Sequence, residues 1–240
     1  MTKAVLDIEN LVVEFGKGPS AVRAVDDVSL TIARGEIFGL AGESGSGKST
    51  LMYAITRLLP TAGRVVSGRV VYSPREGEPV DFLNLEGKAL RRLRWASMAI
   101  VTQAAMNALN PVLDVEAQLT DVLRAHGVGE NRKARRDRAA ELLSIVGITP
   151  DRLSSFPHQL SGGMRQRVMI AMALALSPDV LILDEPTTAL DVVTQRQILE
   201  EILGIFEADR QTHGSSGNQR GGALFRRVFV AGQQLRRHDQ

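Results

Sequence analysis

The sequence predicts an α/β fold, a mixed sheet with flanking helices to which an N-terminal antiparallel β subdomain and a helical insert are added. Three observations predict it. Apolar strand patterns cluster near the amino terminus and then alternate with helical ones. A glycine-rich loop, Gly42 to Gly47, joins a strand to a helix. A continuous apolar run, Val180-Leu181-Ile182-Leu183, ends abruptly in Asp184 and Glu185.

The elements follow from periodicity and composition. Val5–Phe15, Val28–Ala33, Glu36–Ala41, Val65–Tyr72, Ala99–Thr102 and Val180–Leu183 carry alternating or continuous apolar residues and read as strands. Helical spacing begins after Lys48, covers Val115–Ala125 and Arg132–Val146, resumes after Ser161 and covers Val192–Ala208. The stretch from about 104 to 150 shows no strong strand pattern and reads as the helical insert. Its basic run, Arg132, Lys133, Arg135, Arg136 and Arg138, is interleaved with Ala and Asp and reads as a solvated helix face, with a docking surface as the alternative.

Composition narrows the functional classes. The chain has 240 residues, 44% of them hydrophobic and 23% charged, which is the balance of an ordinary globular protein. It contains no cysteine, so disulfides, thiolate zinc sites and iron–sulfur clusters are excluded, and a cytosolic setting fits best. A net charge of +2 is too small a surplus to imply a nucleic-acid partner. No run of apolar residues is long enough to span a bilayer, so any membrane role is expected to be peripheral.

The loop carries the clearest chemistry. Gly42-Glu43-Ser44-Gly45-Ser46-Gly47-Lys48-Ser49-Thr50 contains G-x-x-x-x-G-K-S between an apolar strand and a helix start. Glycines let successive backbone N–H groups converge on one anion, the helix N-terminus adds positive potential, and Lys48 adds a compact charge. A nucleoside triphosphate is the natural guest. Ser49 would place its hydroxyl on a magnesium ion that also touches the phosphates. A parallel strand beside this loop would deliver Asp184 and Glu185 at its carboxyl end, Asp184 to hold the metal and Glu185 to orient the attacking water. Ser161-Gly162-Gly163 opens a helix whose Met164, Val168, Ala171 and Ala175 share a face. It offers a second anion site without a lysine. In isolation it reads as an N-cap followed by flexible glycines, which Ser161 satisfies by itself.

Taken together, these residues resemble the ATP-binding subunit of an ABC transporter, which implies a P-loop NTPase core. Gly42–Thr50 resembles its Walker A motif, Leu160–Gln166 its signature motif, Leu181–Glu185 its Walker B motif and Ala189-Leu190-Asp191 its D-loop, in family order. Gln103 resembles the glutamine that touches metal and water in the family. Phe156–Ala175, Asp184–Val192 and Ala108–Val112 are similar to the dipeptide and oligopeptide importer branch, some of whose members serve oligosaccharides or nickel. Phe15 is either the aromatic that stacks on adenine or a core residue of the first strand. His158 reads as structural. The resemblance implies ATP and Mg2+ as cofactors and a head-to-tail pair of ATP-binding subunits. In that pair Lys48 and Ser49 of one face Ser161 to Gly163 of the other. It also implies permease subunits and a substrate-binding protein as partners, at the cytoplasmic face of the cell membrane.

The resemblance covers residues 1 to 214, the expected ATP-binding domain. Residues 215 to 240 hold five Arg, no Lys and no Glu, and differ in character from what precedes them. They read as an atypical tail that a frameshift or misplaced gene end has substituted, leaving the central sheet without its next strand. The family's switch histidine is not found: His213 follows polar residues rather than a strand. The long carboxyl-terminal segment of peptide-importer subunits is likewise not seen. Two other readings stand beside the importer subunit, a soluble ABC-type ATPase of DNA repair or translation, and a truncated subunit that binds ATP without efficient hydrolysis. Repair proteins of that kind separate their two ATP motifs by long coiled coils and translation factors carry two cassettes. Neither pattern is present.

Overall fold

The computed structural model describes residues 3–102, 108–184 and 228–232, the last as backbone. Two sheets organise it. The first is antiparallel and is built by β1 (Ala4–Phe15), β2 (Val22–Ala33), β4 (Gly63–Tyr72) and the two-residue β5 (Val80–Asp81). Its order is β2-β1-β4-β5. The second is parallel and contains β3 (Ile37–Ala41), β6 (Met98–Val101), β7 (Val180–Asp184) and β8 (Val228–Gly232), in the order β3-β8-β7-β6.

Strand β1 is the central partner of the first sheet, pairing β2 from Ala4↔Ala33 to Phe15↔Val22 and β4 from Leu6↔Tyr72 to Phe15↔Gly63. Leu6, Ile8, Leu11 and Val13 are all buried along it. Two left-handed residues, Asn10 and Asp27, mark the bulges, and the Asn10 amide donates to the Asp27 carboxylate at 2.8 Å. Strand β2 begins at Val22, six residues before the predicted Val28. Its outer position explains the difference: Val22, Arg23, Asp26 and Asp27 are exposed, so no apolar alternation marks the strand there.

Among the described residues, four helices long enough to carry packing arguments flank the sheets. These are α1 (Lys48–Ile55), α3 (Val115–Ala125), α4 (Arg132–Ile145) and α5 (Gly162–Leu174), while the short α2 (Gly87–Leu93) was not anticipated from the sequence. Asp114 caps α3 by accepting from the Ala117 N–H at 2.7 Å, and Asn131 caps α4 through the Ala134 N–H at 2.9 Å. Within the stretch expected to be an insert, the described residues form α3 and α4 with turns before and between them, at 108–114 and 126–131. Its basic run is a solvated, ion-paired face: Lys133 binds Asp137 at 2.7 Å, Arg136 binds Glu116 at 3.1 Å and Arg138 binds Glu141 at 2.7 Å. Pairs of this kind contribute little to stability.

Every residue of β7 is buried, and its two faces serve different cores. Leu181 and Leu183 pack with Leu119, Leu123, Leu142, Leu143 and the apolar face of α5. Val180 and Ile182 pack with α1 and with residues of the antiparallel sheet. The acidic end of β7 is thereby held by packing on both sides.

Its other end is held by polar contacts. The Tyr72 hydroxyl donates to Asp179 at 2.5 Å, and Arg75 and Arg34 approach the same carboxylate at 3.3 Å and 3.7 Å. Burial first, then the hydrogen bond to Asp179, pushes the Tyr72 phenol up to about 12. Replacing Tyr72 with phenylalanine is expected to lower stability at pH 7 by about 1–3 kcal/mol. The phenol stays protonated in the folded state between its ordinary value and about 12, while the unfolded chain ionises. The wild type therefore loses stability as pH rises from 10 to 12, and its advantage over Y72F shrinks across that window. Urea melts of both proteins at pH 7, 10 and 12 check the sign.

The expectation that the parallel sheet lacks its next strand is corrected. The backbone of Val228–Gly232, inside the stretch read as a foreign tail, lies between β3 and β7 and pairs with both. Five consecutive residues of strand-forming or small type, Val-Phe-Val-Ala-Gly, are enough for a short central strand, and the Gly- and Gln-rich surroundings concealed them. The predicted helix Val192–Ala208 lies outside the described residues.

Candidate functional site

The parallel sheet delivers β3 and β7 with their carboxyl ends on the same side, where sheets of this kind bind ligands. From Ala41 the chain turns through Gly42–Gly47 into α1. Glu43, Ser44, Gly45 and Ser46 are exposed, Gly42 and Gly47 partly buried, so the loop is open to a solvent-borne ligand. The Ser46 N–H donates to the Glu43 carbonyl at 3.2 Å, closing the turn. Gly47 caps α1 at φ 87°, and a Cβ there would lie 2.2 Å from the Ala24 carbonyl oxygen of β2. Only glycine satisfies both the left-handed conformation and that approach.

Lys48 is buried, and its ammonium is satisfied by the loop itself. Nζ donates to the Gly42 carbonyl at 2.8 Å, the Glu43 carbonyl at 2.6 Å and Ser46 Oγ at 3.2 Å. The lysine thus braces the loop while its charge stands behind the turn where an anion would sit. One residue on, Ser49 Oγ donates to Asp184 Oδ1 at 3.0 Å, joining the start of α1 to the end of β7. Burial raises the Asp184 carboxyl above its ordinary value, with the Ser49 hydroxyl and the Lys48 charge acting against the shift. A buried carboxylate short of positive charge, beside a serine hydroxyl, forms a hard-oxygen donor set of the kind divalent cations favour. Thr50 follows as the third residue of α1 and is partly buried.

Ser161 caps α5, its Oγ accepting from the Met164 N–H at 3.2 Å, as the plainer of the two sequence readings has it. Ser161 is exposed, Gly162 partly buried and Gly163 buried. Val168, Ala171 and Ala175 are buried and Met164 packs against the same core, so the predicted face of α5 is the face the structure buries.

Phe15 is half-buried at the end of β1, opposite Val22 and Gly63. Its ring covers Gly63, where a Cβ would lie 2.9 Å from Cε1. Val22, across from it, is 66% exposed, and β2 runs from there to Ala24, which touches Gly47. The aromatic edge of the antiparallel sheet therefore adjoins the phosphate loop. Gln103, Glu185 and His213 lie outside the described residues, as does the Ala189–Asp191 stretch.

Two contributors escaped sequence reasoning. The Ala24 carbonyl, which fixes Gly47, belongs to a strand whose start carries no apolar alternation. Tyr53 stands one helical turn beyond Ser49, and burial first, then the charge of Asp184, raises its phenol above the ordinary value. The i, i+4 spacing from Ser49 is the only sequence signal for it.

A strand, a glycine loop with an inward lysine, a helix and a neighbouring acidic strand end define a phosphate-loop nucleotide-binding α/β protein. Comparison with known proteins identifies which kind. The family model described as ABC transporter matches residues 25–188. The dipeptide transport ATP-binding protein DppD of Haemophilus influenzae is 48% identical over 203 residues, covering 83% of this chain and 59% of that protein. DppD of Escherichia coli strain K12 is 45% identical over 209 residues, covering 86% and 62%. The chain thus spans about three fifths of the length of these relatives. Among solved structures, a dimeric post-hydrolysis state of the ATP-binding cassette MJ0796 bound to ADP and Pi superposes with a TM-score of 0.74 at 28% identity, covering 95% of this chain and 87% of that one. This chain belongs to the ABC transporter family.

Proposed function

We propose that this chain is the ATP-binding and hydrolysing subunit that energises an importer of dipeptides or oligopeptides. The observation that carries the reading is the Lys48-braced loop beside the Ser49–Asp184 contact, set in a chain 48% identical to a dipeptide transport ATP-binding protein. The backbone N–H groups of Gly42–Thr50 and the Lys48 ammonium hold the β- and γ-phosphates of ATP. Ser49, Asp184 and Gln103 are the residues that would hold Mg2+, which supplies charge neutralisation at the phosphates. Glu185 orients the attacking water and accepts its proton. Phe15 supports the adenine ring at the exposed edge beside Val22.

The signature turn Ser161–Gly163 faces the nucleotide of a second ATP-binding subunit, so two chains complete two sites. The solved dimer of the related cassette MJ0796 supports this arrangement. The transmembrane permease partners dock beside the helical insert, where Val112 is 76% exposed and Leu113 and Phe156 are also exposed. The hydrogen bond from the Val115 N–H to the Ser155 carbonyl at 3.0 Å brings these two stretches together. A substrate-binding protein joins through the permeases, and the assembly sits at the cytoplasmic face of the membrane. Among the described residues no helix is long and apolar enough to cross a membrane.

A second reading, a subunit that binds ATP but turns it over poorly, is favoured by one feature of the sequence: the five residues after Gly232, Gln233 to Arg237, contain no histidine. Phosphate release by the chain reconstituted with its permeases separates the two. Under the first reading, Glu185→Gln lowers turnover by about 10²–10⁴-fold while ATP still binds. Absence of turnover in the unmutated chain, with ATP binding retained, favours the second.

A further inference from the structure

The short helix α2 and the residues just past the end of α1 build a cationic surface that the nucleotide site does not use. In α2, Lys88, Arg91 and Arg92 stand at i, i+3 and i+4 and are exposed, while Leu90 and Leu93 turn inward and pack against the core shared by α1 and the antiparallel sheet. Arg94 follows, and its guanidinium donates to the Arg57 carbonyl, while the Arg57 guanidinium donates to the Leu85 carbonyl. These contacts draw the ends of the two helices into one patch. From Phe82 to Ala99 the only acid is Glu86.

The charge of this patch is uncompensated. In the basic run of α4, Lys133, Arg136 and Arg138 each hold a carboxylate, whereas among the described residues no carboxylate lies within ion-pair distance of Arg57, Lys88, Arg91, Arg92 or Arg94. Burial first, then the charge of Arg57, lowers the Arg94 guanidinium from its ordinary value, and Arg94 Nε is buried with no hydrogen-bond partner among the described residues. An anion relieves like charges crowded in this way. Two large apolar side chains stand beside them: Leu58, 44% exposed, follows Arg57, and Trp95, 37% exposed, follows Arg94. Trp95 also holds φ at 66°, a conformation that strains a bulky residue and that proteins keep chiefly at functional positions. Cations interleaved with an outward tryptophan and leucine have the composition of a surface that meets the headgroup layer of a bilayer, where the apolar groups enter the boundary and the charges meet phosphates. For a chain of the ABC transporter family, a bilayer is the anionic surface at hand, a setting that rests on the reading above.

We propose that Lys88, Arg91, Arg92 and Trp95, with Arg57 and Arg94 behind them, form a docking surface for anionic phospholipid headgroups. It gives the subunit a membrane contact of its own, separate from its contact with permease partners.

Trp95 is the chain's single tryptophan, so its fluorescence reports on the patch directly. With the intact chain and vesicles of equal parts phosphatidylglycerol and phosphatidylcholine, co-sedimentation and a blue shift of Trp95 emission are expected. Both are expected to reverse at about 1 M salt, where the Debye length falls to about 3 Å. Vesicles of phosphatidylcholine alone are expected to leave the chain in solution. Each surface cation strengthens partition about fivefold, so Arg91→Glu/Arg92→Glu is expected to weaken it by about 25-fold or more. Lys133→Glu/Arg136→Glu takes the same charge from the ion-paired face of α4 and is expected to change it little. ATP affinity is expected to be unchanged in both variants, so failure of vesicle binding and failure of nucleotide binding are separate results. No partition of the unmutated chain onto the mixed vesicles, equal partition onto neutral ones, or an equal loss in the two variants overturns the proposal. So does a loss of permease capture in Arg91→Glu/Arg92→Glu with vesicle binding unchanged, which assigns the patch to an acidic protein segment instead.

Discussion

Replacing Lys48 with alanine is expected to weaken ATP binding by about 100-fold, close to 3 kcal/mol, as the loss of charge-assisted contacts to the terminal phosphates requires. The fold should be largely spared. Lys48 is buried but bonds to oxygens of an exposed loop, Gly42 O, Glu43 O and Ser46 Oγ, which water can satisfy once the ammonium is gone. The melting temperature is expected to move by no more than about 4 °C. Lys48→Arg should not rescue binding. The ammonium converges on two loop carbonyls at 2.6 Å and 2.8 Å, a point-charge geometry that the longer, planar guanidinium fork does not reproduce. Equilibrium titration with a fluorescent ATP analogue beside a thermal melt of the same samples separates lost binding from lost folding. Unchanged affinity in Lys48→Ala removes the lysine from the site.

The second large effect is at Gly47. A methyl group there would sit 2.2 Å from the Ala24 carbonyl oxygen, and neither backbone can yield without moving the phosphate loop off β2. The residue also holds φ at 87°, which costs an L-amino acid about 1–2 kcal/mol. Gly47→Ala is expected to lose about 3 kcal/mol or more and to melt about 6–12 °C lower, with ATP binding abolished. Gly45 provides the comparison: its φ is 79°, but nothing lies within 4 Å of its Cβ position. Gly45→Ala should cost only the conformational part, about 1–2 kcal/mol. Equal melting temperatures for the two variants would show that the approach of Ala24 to Gly47 does not constrain the loop.

The difference between these glycines shows what the sequence could and could not disclose. The loop, its lysine and the acidic strand are local patterns, and each was legible because strand, turn and helix follow one another directly. Helices α3 and α4 were legible for a related reason. Asp114 and Asn131 cap them, and their apolar spacing matches a buried face. What stayed hidden is what depends on residues far apart in the chain. Tyr72 meets Asp179 across 107 positions, and the Ala24 carbonyl of β2 meets the Gly47 Cβ position in the same way. No periodicity announces such pairs.

Edge and keystone strands were hidden for opposite reasons. The first half of β2 faces solvent with Arg23, Asp26 and Asp27 exposed, so it lacks the alternation by which strands are recognised. β8 is central but only five residues long, and its surroundings from Gly214 onward read as turn and linker. A short apolar run in polar company carries little weight alone. Its place is set by pairing with β3 and β7, residues nearly 200 and nearly 50 positions earlier in the chain, which no local pattern records.

The central claim is that this chain grips the phosphate tail of a nucleotide rather than its base. Calorimetric titration of the purified chain with ATP in the presence of Mg2+, followed by competition, tests it most directly. The account predicts saturable binding at one site per chain, displaced by ADP and barely by AMP or adenosine, because AMP lacks the phosphates that Lys48 and the loop amides hold. Failure to bind ATP, or displacement by AMP as readily as by ADP, would contradict it.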